Sequence, residues 1–82
     1  MPIKEYVVRV YKIGGQYSVD VFDRWFGHMK NEDFRMFEGK DEFDTPELAF
    51  NQGQQFVETY HYELVSAGCD PDYKLTKENY WF

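Results

Sequence analysis

The chain has 82 residues, a formal net charge of −6 and an aromatic content of 21%. That length fits a single domain whose core buries only about 60–65% of the unfolded surface. The negative charge argues against nonspecific binding to nucleic acid or to an anionic membrane, since both draw on Lys and Arg at phosphate.

The rings are more numerous than so small a core needs. Some are therefore expected at the surface, where a cluster of them marks a partner site. The opening stretch MPIKEYVVRV lacks the apolar h-region of a signal peptide, and no run approaches the length of a membrane span. A lone Cys69 has no internal disulfide partner, which fits a reducing compartment. The expectation is a soluble cytoplasmic protein.

Residues 5–13 and 16–24 are rich in β-branched and aromatic side chains, and Gly14-Gly15 between them is a two-residue hairpin signal. With Ile13 facing Gln16, opposed residue numbers sum to 29. Val10 then opposes Val19 and Val8 opposes Val21 on one face, with Tyr6 and Tyr17 nearby. On the other face Arg9 opposes Asp20 and Glu5 opposes Arg24. Apolar and opposite-charge pairs agree in one register. The first face is expected to meet the helix. The second mixes Val7, Tyr11 and Phe22 with charges, which reads either as a solvated or tail-covered face or as a docking surface.

Lys30-Asn31-Glu32-Asp33 reads as a turn-like polar cluster, and FRMFEG after it as a third strand. In that strand Phe34 and Met36 fall on one side and Arg35 and Phe37 on the other. The strand is read as extending towards Phe43, and Gly27 marks a bulge or bend.

The long helical signal runs from Asp44 to Val65. Ala49, Gly53, Phe56, Val57, Tyr60 and Leu64 fall within one arc about 120° wide. Thr45, or Asp44, caps the start, Pro46 takes the first helical position, and Gly68 and Pro71 mark the stop. Gly53 costs about 1 kcal/mol relative to Ala in a helix interior. Its place in the apolar arc predicts close approach to a sheet, or the floor of a pocket. The segment 70–82 is compatible with a fourth strand, a short helix or an extended tail ending in Tyr80-Trp81-Phe82.

The expected fold is α+β. It has a small antiparallel sheet of three strands, or four if the tail joins, in meander order. A single long helix from the C-terminal half packs on one face. The expected bounds are about 4–13, 16–28 and 34–43 for strands, 45–66 for the helix and 70–82 for the aromatic tail.

The chemistry-bearing residues form no specific constellation. His28, His61 and Cys69 match no metal-ligand spacing, and His61 reads as a hydrogen-bonded boundary residue of the helix. Gly14-Gly15 is explained by its turn rather than by phosphate. No catalytic set, metal or cofactor is expected.

Between positions 32 and 47 stand Glu32, Asp33, Glu38, Asp41, Glu42, Asp44 and Glu47, offset by Arg35 and Lys40 alone. They form either a solvated stretch complementing the helix N-terminus or a patch for a basic partner. The reading that follows is a non-enzymatic interaction module. It would bind a protein through those acids and the rings of Tyr11, Phe22 and Trp81, without direct contact to nucleic acid or membrane.

Two alternatives differ in class. One is an acidic inhibitor that imitates a nucleic-acid backbone, of the type phages and mobile elements encode. The other is a small enzyme or ligand binder with a pocket near Gly53, Tyr60 and Tyr6. Homodimerisation through the open sheet face or an edge strand is a further expectation.

Overall fold

The computed structural model describes residues 4–26, 29–39 and 42–80. In chain order the elements are β1 (Lys4–Ile13), β2 (Gln16–Phe26), β3 (Asn31–Glu38), α1 (Pro46–Ser66) and β4 (Tyr73–Tyr80). They form a four-stranded sheet of order β3-β2-β1-β4 with α1 on one face, an α+β arrangement measuring 41 × 30 × 16 Å. No described helix is long and apolar enough to cross a membrane.

The first hairpin has the register that its turn and its charges imply. Glu5 pairs with Arg24, Val8 with Val21, Arg9 with Asp20, Val10 with Val19, and Ile13 with Gln16. Gly14 and Gly15 both take positive φ, 57° and 85°, as a primed turn demands.

The meander holds for β1, β2 and β3 and then breaks. The chain then crosses by way of α1 to the far edge, where β4 runs parallel to β1 from Lys4↔Tyr73 to Tyr11↔Tyr80. A parallel pair needs a long crossover, and α1 supplies it. Tyr73–Tyr80 therefore extends the sheet at its edge and does not cover the helix-free face.

β3 begins three residues before the sequence reading placed it. Asn31, Glu32 and Asp33 pair with Phe26, Trp25 and Arg24 as strand residues. They look like a turn because their side chains are polar, but an edge strand tolerates such residues, and Arg24 gives Asp33 a cross-strand partner. The expected two-sided alternation also fails at one point. The register shifts between Val21 and Phe22, so that Phe37 faces Val21 and Arg35 faces Phe22. Met36 is the extra residue of this bulge, and both Met36 and Phe37 pack on the core. Phe34, opposite Asp23, shares the side of Phe37. The bulge foreseen at Gly27 falls outside the described residues. Past β3, Tyr17 and Phe43 exchange backbone hydrogen bonds of 2.8 and 2.7 Å, which prolongs the pairing.

The helix has both of its signalled ends. The Thr45 side chain accepts from the Leu48 N–H at 3.2 Å, and Pro46 occupies the first position. At the other end Cys69 N–H donates to Leu64 O and Gly68 N–H to Val65 O, each at 3.0 Å, with Gly68 at φ 103°. That pair of bonds is the Schellman closure, which only a left-handed residue completes without strain.

The core lies between α1 and the two central strands. Tyr6, Val8, Val10, Val19, Val21, Ala49 and Val57 have no exposed surface. Each large aliphatic chain buried there contributes about 1.5–3 kcal/mol. Gly53 is the contact point. A Cβ at that position would stand 2.6 Å from Val8 Cγ1 and 2.9 Å from Val19 Cγ2. The helix backbone therefore rests directly on the valines of β1 and β2, which is the close approach the sequence implied.

Candidate interaction surface

Three places concentrate polar or aromatic chemistry. They are a buried tyrosine–histidine pair, the helix-free face of the sheet, and the corner where β2 meets β3 on the helix side.

The buried pair is built by packing. Tyr6 is wholly buried and His61 is 4% exposed. His61 Nε2 lies 2.9 Å from the Asp70 carbonyl, which can only accept, so Nε2 carries the proton. Nδ1 then accepts from the Tyr6 hydroxyl at 2.9 Å. Burial pushes the Tyr6 phenol well above its ordinary range, with the Asp23 charge adding to it. Tyr60 and Tyr73 meet the Tyr6 ring edge-on, at 6.1 and 5.5 Å between centroids. His61 thus ties α1, β1 and the turn before β4 together, in the role its position on the helix arc suggested. The floor around Gly53, where the sequence allowed a pocket, is filled by the Val8 and Val19 methyls.

The helix-free face is organised by two arginines. Arg24 holds Asp33 with a two-pronged contact, Nε to Oδ1 at 2.7 Å and Nη2 to Oδ2 at 2.9 Å. It also reaches Glu78 at 3.1 Å and Glu5 at 3.5 Å. Arg9 Nε donates to Glu78 at 2.9 Å and Arg9 Nη2 to Asp33 at 3.2 Å. Thr76 donates to Glu5 at 2.6 Å. Two cations and three carboxylates therefore link all four strands.

The Arg24 hydrogen bonds hold Asp33 below the usual carboxylate range, against the opposing effect of burial. Burial alone would raise Glu78, but hydrogen bonds from Arg9 and Arg24 outweigh it and pull Glu78 down. The rings join the same lattice. The Arg9 guanidinium carbon sits 4.2 Å from the Phe22 centroid and 5.1 Å from that of Tyr80, and Tyr11 stacks on Tyr80 at 5.7 Å. Val7, between Phe22 and Thr76 in the ladders, is fully buried beneath these side chains.

The corner is different. Trp25 pairs with Glu32 and Asp23 with Phe34, so Trp25 and Phe34 are diagonal neighbours on the helix side, about 7–8 Å apart. Trp25 is 56% exposed and Phe34 54%. Lys4 stands between this corner and the core. Its ammonium pairs with Asp23 at 2.7 Å and lies 5.2 Å from the Trp25 centroid. Towards the core the ring surface continues through Phe37, Phe56 and Tyr60, with Phe37 on Phe56 at 4.9 Å and Phe56 on Tyr60 at 6.1 Å. α1 packs over β1 and β2, and this leaves the helix side of β3 open beyond Phe37.

The residues singled out from sequence divide among these places. Asp33 is bound into the arginine lattice. Glu38 opposes Asp20 on the helix-free face, whereas Glu32 opposes Trp25 on the helix side. Glu42, Asp44 and Glu47 are exposed around the start of α1. Tyr11 and Phe22 are half-buried and already engaged within the chain. Asp41 and Trp81 fall outside the described residues. The described acids thus form no single row, because strand alternation and the helix cap distribute them over two faces and one end.

Sequence reasoning missed Trp25 and Phe34. Their alternation with Asp23 and Glu32 was legible, but the lateral position of the helix that leaves them uncovered was not. Among the described residues no group of three or more His, Cys, Asp or Glu is arranged to hold a metal. Compared with known proteins, the chain matches no family model, no curated protein and no solved structure.

Proposed function

We propose that this chain is a non-enzymatic protein-interaction module that docks its partner at the Trp25–Phe34 corner. The carrying observation is that two large rings lie on one face of adjacent strands, at diagonal positions and each more than half exposed, with Glu32 opposite Trp25. An exposed aromatic cluster with a charged rim is what binding hot spots are made of. The helix-free face supports this role less, since Arg9 and Arg24 are taken up by carboxylates, Phe22 and Tyr80 lie against Arg9, and Tyr11 stacks on Tyr80.

The test is capture of a partner from the native host by four forms of the protein. These are wild type, Trp25→Ser/Phe34→Ser, Tyr11→Ser/Phe22→Ser, and a helix-surface control, Tyr62→Ser. The corner variant is expected to lose the retained protein at unchanged far-ultraviolet circular dichroism, while the control keeps it. A partner that survives the corner variant and is lost with the Tyr11/Phe22 variant moves the docking site to the other face and refutes this assignment.

A further inference from the structure

We infer that the partner element is an extended, basic and apolar peptide segment that adds to β3 as a fifth strand. This rests on the docking corner proposed above and names what fills it. β3 is an edge strand, so one row of its backbone N–H and C=O groups has no neighbouring strand among the described residues. The helix-side floor next to that edge is apolar, formed by Phe34, Trp25 and Phe37. Its wall is the flank of α1 that carries Phe56 and Tyr60. A strand laid along β3 gains main-chain hydrogen bonds, and every second side chain drops onto that floor.

The other edge lacks this space. On β4, Tyr73 and Leu75 already pack on the core, and the Lys77 ammonium covers the Phe50 ring at 4.7 Å. Among the described residues the two edges are therefore not equivalent, and β3 alone keeps an apolar ledge.

Charge defines the rest of the occupant. Glu32 stands on the ledge, and Glu63 lies seven residues after Phe56, on the same flank of the helix. Both are exposed. Of the described cations near this corner, Lys4 is held by Asp23, and Lys30 lies in the bend before β3. Arg35 points to the opposite face, where it meets Asp20 at 3.8 Å. A segment with apolar residues at alternate positions, flanked by Lys or Arg on the same side, complements this surface. An acidic one does not.

The probe is the synthetic peptide KTVTITVTK, with ETVTITVTE as its charge-reversed control and a copy of the first N-methylated at alternate residues. Tryptophan fluorescence is read in a Trp81→Phe background, and amide hydrogen exchange is read across the sheet. The expected result is saturable binding of the basic peptide at least tenfold tighter than the acidic one at low salt, narrowing as salt is added. Slowed exchange should be confined to Asn31–Glu38, and the N-methylated copy should not bind.

Equal binding of the basic and N-methylated peptides overturns strand addition. Slowed exchange on β4, or concentration-dependent protection of β3 without peptide, assigns the edge to another site or to a second copy and overturns the inference. If no peptide binds while Trp25→Ser/Phe34→Ser still abolishes partner capture, the peptide chemistry fails and the docking corner stands. The peptide readouts are taken on the Trp81→Phe protein alone, so they do not depend on whether a corner variant folds.

Discussion

Replacing Gly53 by Ala should destabilise the protein, the reverse of what helix propensity dictates. In an exposed helix the substitution gains about 1 kcal/mol. Here the new methyl would lie 2.6 Å from Val8 Cγ1 and 2.9 Å from Val19 Cγ2. Carbon atoms rest at about 3.5–4.0 Å, so the overlap is about 1 Å on the nearer side. Neither valine has an easy escape, since both are fully buried and β-branched, with a restricted χ1.

The remaining response is for the helix to lift. That would loosen Ala49 and Val57, one turn away on either side and wholly buried. Overpacking of this kind costs about 1–3 kcal/mol. Set against the propensity gain and weighted to the upper half by two simultaneous clashes, the net loss is about 1–2 kcal/mol. For a domain of this size that lowers the melting temperature by about 5–15 °C. Thermal unfolding of the two proteins followed by circular dichroism measures it. In a Val8→Ala background the same substitution should cost less, because the nearer methyl is gone. A Gly53→Ala protein that melts higher than wild type, or an equal cost in both backgrounds, would refute the idea that the helix backbone rests on these valines.

Two further expectations concern the polar clusters. Asp33 and Glu78 have folded-state pKa values below the unfolded carboxylate range. Their contribution is therefore complete above about pH 5 and is lost as pH falls through the ordinary carboxylate range towards the depressed folded values. Stability measured by urea titration between pH 7 and pH 3 should fall less steeply for Asp33→Asn than for wild type, and parallel curves would count against the arginine lattice. Tyr6→Phe removes the donor to His61 Nδ1 inside the core, leaving a buried acceptor unpaired at a cost of about 1–3 kcal/mol. If Tyr6→Phe unfolds at the same urea concentration as wild type, that hydrogen bond is not a stabilising one.

Legibility from sequence followed the range of the interaction. The first hairpin was readable to the residue, because Gly14-Gly15 fixes the register and Val8–Val21 and Arg9–Asp20 corroborate it from opposite faces. Both helix ends were readable because Thr45, Pro46 and Gly68 act on their own neighbours. The C-terminal strand was only one of three options. Its alternation of Tyr73 and Leu75 inward with Lys74 and Thr76 outward is plain, but parallel pairing has no turn to name the partner or register. The bulge at Met36 carries no glycine or proline to announce it. Of the site, the acids and rings were visible as residue types. What was hidden is that Arg9 would engage Phe22 and Tyr80, with Tyr11 stacked on Tyr80, and that an off-centre helix would leave Trp25 and Phe34 uncovered.

The parallel seat of β4 beside β1 also bears on how the chain reaches this arrangement. Thr76 and Glu5, hydrogen-bonded to each other, are 71 residues apart in sequence, and Arg9 and Glu78 are 69 apart. β1 is made before the other strands and the helix, yet one of its edges has no partner until Tyr73–Tyr80 arrives. Closing so long a loop carries its entropic cost before any contact offsets it, which makes such topologies slow to form. During biosynthesis the first strand, EYVVRV, waits with its ladder half open, and that is the interval in which a β-rich segment is most prone to pair with the wrong chain.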